Sequence, residues 1–130
     1  MTDHILVIGY GDTGRSAVNS VLASQSDARL TVLDIDFLAA VEATANGVAA
    51  VVGDGRDRCA LDEAAADIAD RVIVAVPDDL NAFLITRAVR PLNPDTLIVV
   101  VIREPVNHAI FTSDGIVTVH KQQPPDDRQT

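Results

Sequence analysis

The sequence predicts an α/β fold: a doubly wound, mostly parallel Rossmann-like sheet of about six strands with helices on both faces. Three observations point there. Short apolar runs alternate with stretches of helical period from the first residues to about residue 120, which makes 1–120 the expected domain. Four of those runs are unbroken Val/Ile/Leu rather than alternating, the mark of strands buried on both faces. A glycine string follows the first run directly and opens the first helical stretch. At 130 residues the chain has room for one compact domain and none for a separate substrate domain.

The elements follow in order. The expected strands are His4 to Ile8, Leu30 to Asp34, Ala49 to Val52, Val72 to Val76, Leu97 to Ile102 and Ile116 to Val119. Between them run four apolar stripes at helical spacing: Ala17, Val18, Val21 and Leu22; Leu38, Val41 and Ala45; Leu61, Ala64, Ala65 and Ile68; and Leu80, Phe83, Leu84 and Ala88. Asp36, Asp57 and Asp78 stand where helices start, Pro91 and Pro94 where the fourth ends, and Pro105 in the first turn of a short fifth helix. Right-handed crossovers leave such an alternation few topologies besides the doubly wound one. The last stretch, 121–130, carries Pro124, Pro125, Asp126 and Asp127 and reads as a disordered tail or linker.

Composition excludes several classes. Hydrophobic residues at 48% and charged ones at 22% are those of a globular domain. The formal net charge of −9 argues against nucleic acid or an anionic membrane surface as partner, since both require a basic face. The apolar runs are strand-length, far short of the roughly 18 to 20 residues of a membrane span. Asp3 and His4 replace the basic start of a secretory leader. The single cysteine, Cys59, makes neither an internal disulfide nor a zinc site, and a reducing cytoplasm fits.

The chemistry lies in Gly9-Tyr10-Gly11-Asp12-Thr13-Gly14. Such a string is weak evidence alone, but here a strand precedes it and a helix follows. Gly9 serves the tight turn, Gly11 lets main chain approach a pyrophosphate, and Gly14 allows close packing of helix on strand. The helix N-terminus then presents free N–H groups and a positive dipole end to an anion. Asp34, twenty residues after Gly14, stands where an acid accepts hydrogen bonds from an adenosine ribose and repels a 2′-phosphate. Asp54, between Gly53 and Gly55, reads either as an acceptor for an adenine amino group or as a turn residue bonding its own backbone. Tyr10 either flanks a nucleotide or packs inside. No P-loop or HExxH motif is present, and His4, His108 and His120 are not spaced as ligands, so no metal site is expected. Asp62-Glu63 and Asp78-Asp79 read as helix-start charges, not acid/base pairs.

Beyond the glycine string, this chain resembles the N-terminal lobe of an RCK domain, also called KTN or TrkA-N, from about His4 to Val119. The likeness rests on Gly9-Tyr10-Gly11 with Gly14-Arg15-Ser16-Ala17, on Val32-Leu33-Asp34, on Val52-Gly53-Asp54, on Arg71 to Val76 with Asp79, Asn81 and Leu84, and on Leu92-Asn93-Pro94 with Ile102-Arg103. The family regulates potassium channels and transporters from the cytoplasm. The resemblance implies NAD(H) or an adenine nucleotide (ATP, ADP or AMP) as ligand, with Gly9, Gly11 and Gly14 at the phosphates, Asp34 at the ribose and Asp54 at the adenine. Tyr10, Asp12, Thr13, Arg15, Ile35, Gly55 and Val76 complete the expected binding set. Asp12 stands where some family members carry a basic residue, and Arg15 follows one turn on. Arg103 matches a family arginine on the ligand side and reads equally as a surface salt-bridge partner.

The expected function is therefore regulatory: a cytoplasmic module, at the inner face of the membrane through its pore or transporter partner, that pairs with copies of itself as a homodimer or larger ring. The expected self-contact uses Ile85 and Val89, taken as outside the inner stripe of the fourth helix, with Val106, Ile110 and Phe111 beyond it. The alternative from another class is a small NAD-dependent oxidoreductase or a subunit of one, which would require a base and a substrate pocket the sequence does not display. A third reading keeps the Rossmann-like scaffold without a ligand.

Overall fold

Residues 3–112 and 115–121 are described by the structure, a computed structural model. Strand β1 (His4–Ile8) shows how its two faces are used. Ile5 and Val7 enter one apolar cluster, Leu6 and Ile8 another, and all four are at most 2% exposed. Successive side chains of a strand face opposite ways, so an unbroken apolar run is satisfied only by a helix layer on each side. Helices α1 (Asp12–Ser24) and α2 (Phe37–Ala45) cover the first cluster with Val18, Val21 and Ala43. Helices α3 (Arg58–Glu63) and α4 (Asp79–Leu92), with a 3-10 helix over Pro105–Phe111, cover the second.

The other strands are β2 (Arg29–Asp34), β3 (Ala49–Val52), β4 (Arg71–Val74), β5 (Leu97–Ile102) and β6 (Ile116–His120). They lie in the order β3-β2-β1-β4-β5-β6, and every neighbouring pair is parallel. The doubly wound sheet is thus the one expected. Strand order reverses between β1 and β4, and at such a switch point the carboxyl ends of the strands leave a crevice. Asp36, Asp57 and Asp78 each accept the N–H two residues on and cap α2, α3 and α4.

Four local expectations are corrected. β4 stops at Val74, so Ala75 and Val76 leave the sheet at the crevice, although Ala75 still donates to Ile8 O. α3 ends at Glu63: Ala65 takes a left-handed φ of 60°, a single 3-10 turn follows, and Ile68 is left 66% exposed. On α2, which packs against β2 and β3, the inward residues are Ala40 and Ala43, while Leu38 and Val41 face out. Ala45 is exposed as well. α4 runs one residue past Pro91, and its inner face is Ala82, Ile85, Thr86 and Val89; Leu80 and Leu84 face out.

The α4 phase has a specific cause. Asp79, the first residue of the helix, is turned inward to accept hydrogen bonds from the Arg103 and Glu104 N–H groups and from Asn107 Nδ2, at 2.8 to 3.0 Å. Once residue 79 faces inward, positions 82, 86 and 89 must follow it by helical geometry. Ile85, Val89 and Phe111 are therefore core residues, and the self-contact expected through Ile85, Val89 and Phe111 is not available at those side chains. The expected tail lies outside the described residues apart from Lys121, whose N–H donates to Ile102 O and extends the β6 pairing by one residue.

Candidate functional site

The loop from β1 to α1 separates the glycines by what each one faces. Gly9 adopts φ +101°, and a Cβ there would stand 2.6 Å from Ala75 O. A Cβ on Gly14 would overlap the Gly9 carbonyl oxygen. Both are glycines because the fold requires it. Gly11 is different: its added Cβ would meet nothing within 4 Å. The protein leaves that space open.

Gly11 also begins α1 without a side-chain cap, whereas α2, α3 and α4 each start on an Asp cap. The first turn's N–H groups, from Asp12 to Gly14, precede the first helical bond, Arg15 N–H to Gly11 O at 2.9 Å. Donors left open at a helix start favour an anion. The Asp12 carboxylate is almost fully exposed beside them, and Arg15 is shared between Asp12 (3.2 Å) and Glu42 on α2 (2.8 Å). Arg15 thus balances acids already present.

Asp34 fixes the loop from the other side. Its Oδ2 accepts the Tyr10 N–H at 2.6 Å and its Oδ1 the Asp36 N–H at 2.9 Å. A carboxylate oxygen has two lone pairs, so each retains one for a ligand hydroxyl. Tyr10 itself resolves toward packing: it is 2% exposed, lies in the cluster of Val18, Ala43 and Val48, and its hydroxyl accepts from Asn46 Nδ2 at 2.9 Å.

These parts surround one cleft of about 540 Å³, a size typical of small-molecule and cofactor sites. The expected residues Gly9, Tyr10, Gly11, Asp12, Thr13 and Arg15 line it on the loop side. Asp34, Ile35, Asp54, Gly55 and Val76 line it from the ends of β2, β3 and β4. Gly14 alone of the expected set does not; it is buried under the loop. Arg103 lines the cleft as well and forms no salt bridge among the described residues. Sequence reasoning missed Asp36, Glu42, Arg56, Asn81 and Lys121, which also line it. Lys121 had a readable signal, because it follows a strand and so sits at a carboxyl end.

Asp54 departs from the simple expectation. Arg56 grips it through Nη2–Oδ2 at 2.7 Å and Nε–Oδ1 at 3.0 Å, and the Arg56 N–H closes an Asx turn on Oδ1 at 2.9 Å. The Arg56 side-chain bonds, followed by that main-chain bond, hold the carboxyl below its ordinary pKa against the upward push of burial. At Asp79, burial pushes the pKa up, but hydrogen bonds from Asn107, Glu104 and Arg103 and the Arg103 charge outweigh it and leave the pKa lowered. Among the described residues, no group of three or more His, Cys, Asp or Glu is placed to hold a metal ion, and no helix is long and apolar enough to cross a membrane.

The strand order and the loop at its switch point define a Rossmann-like domain. The chain belongs to the TrkA-N domain family, whose model matches residues 5–121, and the RCK resemblance is thereby confirmed. Among solved structures it is similar to the TrkA-N domain of the inner membrane protein YbaL from Escherichia coli, at 27% identity and a TM-score of 0.82, over 92% of this chain and 88% of that one. It is also similar to the GsuK channel bound to NAD, at 22% identity and a TM-score of 0.72, covering 90% of this chain but only 21% of the channel chain. A third is the Kef CTD of Shewanella denitrificans in its AMP-bound form, at 21% identity and a TM-score of 0.65, over 81% of this chain and 62% of that one. The last two likenesses concern the fold. No curated protein matches the sequence.

Proposed function

We propose that this domain is a regulatory nucleotide sensor, not an enzyme. It binds NAD(H) or an adenine nucleotide over the glycine loop and conveys occupancy to a potassium channel or transporter at the cytoplasmic face of the membrane. The observation that carries the reading is Gly11, a glycine the fold does not need, at an uncapped helix start that opens onto the cleft beside Asp34. A phosphate resting on the Asp12 and Thr13 N–H groups, with a ribose hydroxyl on Asp34, uses what the cleft offers. Similar structures, the GsuK channel bound to NAD and the Kef CTD in AMP-bound form, support the ligand class.

Regulation requires a ligand that favours one arrangement of an assembly over another. Pairing of copies is supported by apolar side chains still exposed around α4 and the 3-10 helix, namely Leu80 (62%), Val106 (80%) and Ile110 (46%). Sedimentation tests that part: a dimer dissociated by Ile110→Asp is expected, and a monomer at high micromolar concentration overturns it. Titration with NADH and ADP tests the site. Gly11→Val is expected to melt like the parent and to lose binding, because the added side chain enters the open space. A folded Gly11→Val that binds as tightly as the parent overturns the assignment.

A further inference from the structure

The two outer strands of the sheet, β3 and β6, are paired on one side only. At β6 the Gly115 carbonyl accepts from the Ile98 N–H, and the Lys121 N–H donates to Ile102 O. Main-chain groups of a strand alternate in direction, so residues 117 and 119 also turn theirs toward β5, while Ile116, Thr118 and His120 turn theirs outward. Natural sheets blunt such an edge with a charge, a proline, a bulge or a very short strand. β6 has none of these: its register with β5 is unbroken, and Ile116–His120 holds no Asp, Glu, Lys, Arg or Pro. Apolar side chains flank the open edge on both faces of the sheet. Val117 and Val119, 47% and 48% exposed, lie on the face that holds Val99. On the other face the 3-10 helix packs against β6 and leaves Val106 and Ile110 exposed.

We propose that β6 is the edge through which two copies of this domain pair, antiparallel about a two-fold axis, so that one sheet runs through both. The inference rests on the pairing of copies proposed above and gives it a geometry. A strand that meets its own copy across a perpendicular two-fold axis runs antiparallel to it. With the axis at Thr118, the outward N–H and C=O groups of residues 116, 118 and 120 face those of 120, 118 and 116 in the other copy. Val117 then lies opposite Val119 at the closer of the two antiparallel spacings, where β-branched pairs stabilise a sheet. Charge selects the same occupant. In a chain of net charge −9, residues 115–121 hold no acid and end in His120 and Lys121, so two copies meet there without opposing carboxylates. Residues 122–130 do not suit this edge, because they bring Pro124 and Pro125 and no apolar side chain. Val106, Ile110, Val117 and Val119 together expose roughly 350 Å² per copy, less than half of what each partner gives a standard interface, an area that suits reversible pairing.

Sedimentation and amide hydrogen exchange of the whole chain test the edge. The parent is expected to be a dimer at high micromolar concentration, with the Thr118 and His120 amides exchanging about tenfold more slowly than at low micromolar concentration. The outward amides of β3, Ala50 and Val52, are expected to be indifferent to concentration, since the Gly53 N–H, bonded to Asp34 O, sets the inward phase of that strand. Thr118→Pro removes one outward N–H and spares the β5 ladder, so it is expected to stay folded and become monomeric. Thr118→Val keeps that N–H and loses only the hydroxyl bonded to His108 Nδ1, and is expected to remain a dimer. If the proline form melts early, Val119→Lys, a charge of the kind that guards natural edges, takes its place and is expected to dissociate the dimer. A dimer that survives these edge substitutions and dissociates only in Ile110→Asp overturns the edge and leaves the pairing of copies standing. Thr118 and His120 amides that ignore concentration in a dimeric parent do the same. A parent that stays monomeric overturns the pairing itself, and the edge with it, which separates the two failures.

Discussion

Two carboxylates hold the two sides of the cleft, and they do so in opposite surroundings. Asp34, at the end of β2, is partly exposed; it takes the Tyr10 and Asp36 N–H groups and keeps lone pairs toward the cleft. Asp79, at the start of α4, is 7% exposed and takes two main-chain N–H groups and one side-chain amide, all from the segment after β5. Both oxygens of Asp79 are committed to the fold. One acid therefore serves a ligand and the other serves structure, although each closes a loop in the same way. The difference teaches that partner location, more than burial or charge alone, separates the roles.

The contrast is expected to break most sharply at Asp79→Ala. Removal leaves the Arg103 and Glu104 N–H groups and the Asn107 amide without their acceptor, at about 1 to 3 kcal/mol for each group that water cannot reach. A loss of about 3 kcal/mol in urea unfolding is expected, a large part of the stability of a small domain. Asp34→Ala is expected to cost about 1 kcal/mol, because it has two N–H partners to Asp79's three and one of them, at Asp36, lies in an exposed bond. Equal losses would show that the two acids do the same work.

Acid sharpens the same comparison. The Asp79 carboxyl is held below its ordinary value in the fold, so below about pH 4 the unfolded chain binds more protons than the native one. The contribution of Asp79 is fully present above that pH and is lost as pH falls through the folded value. Denaturation midpoints from pH 6 to pH 2.5 are expected to fall less steeply in Asp79→Asn than in the parent. Identical acid limbs would place the titrating group elsewhere.

Selectivity tests the ligand-facing acid. A 2′-phosphate set against Asp34 meets like charge and finds no donor in the carboxylate, so competition titration is expected to favour NADH over NADPH by about tenfold. Asp34→Asn is expected to narrow that gap while leaving stability within about 1 kcal/mol of the parent. Equal affinity of the parent for the two cofactors would remove Asp34 from the ribose.

How far these roles could be read from the chain follows from how local their causes are. The caps Asp36, Asp57 and Asp78 each answer a demand made two residues on, and a sequence carries such demands openly, whereas the glycines and Asp34, whose contacts reach Ala75 and Tyr10, were legible through the spacing of the motif they belong to. The strand order was legible because unbroken apolar runs admit few sheets. Asp79 was not legible, since its partners lie 24, 25 and 28 residues away and nothing beside it marks them. Nor was the phase of α2, where Ala40 and Ala43 face in and the larger Leu38 faces out, against its apolar stripe. Arg56 stood in view two residues from Asp54, and an acid followed by a basic residue at that spacing in a loop was signal enough to seek a pair.

The smallest expected effect carries the most information about phase. By apolar content alone, Leu80, Phe83, Leu84 and Ala88 form a plausible inner stripe for α4, and truncating Leu80 would then cost about 2 to 5 kcal/mol. In the structure Leu80 is 62% exposed and Ile85 is 1% exposed, because Asp79 has turned the helix. Leu80→Ala is therefore expected to change stability by less than about 0.5 kcal/mol, as surface substitutions do. Ile85→Ala is expected to cost about 2 to 5 kcal/mol through lost burial and the cavity it leaves. Urea unfolding at low micromolar concentration keeps any association through the exposed face out of the measurement. A costly Leu80→Ala beside a harmless Ile85→Ala would reverse the phase of α4, and with it the claim that one buried carboxylate outweighs Leu80 and Leu84 in orienting the helix.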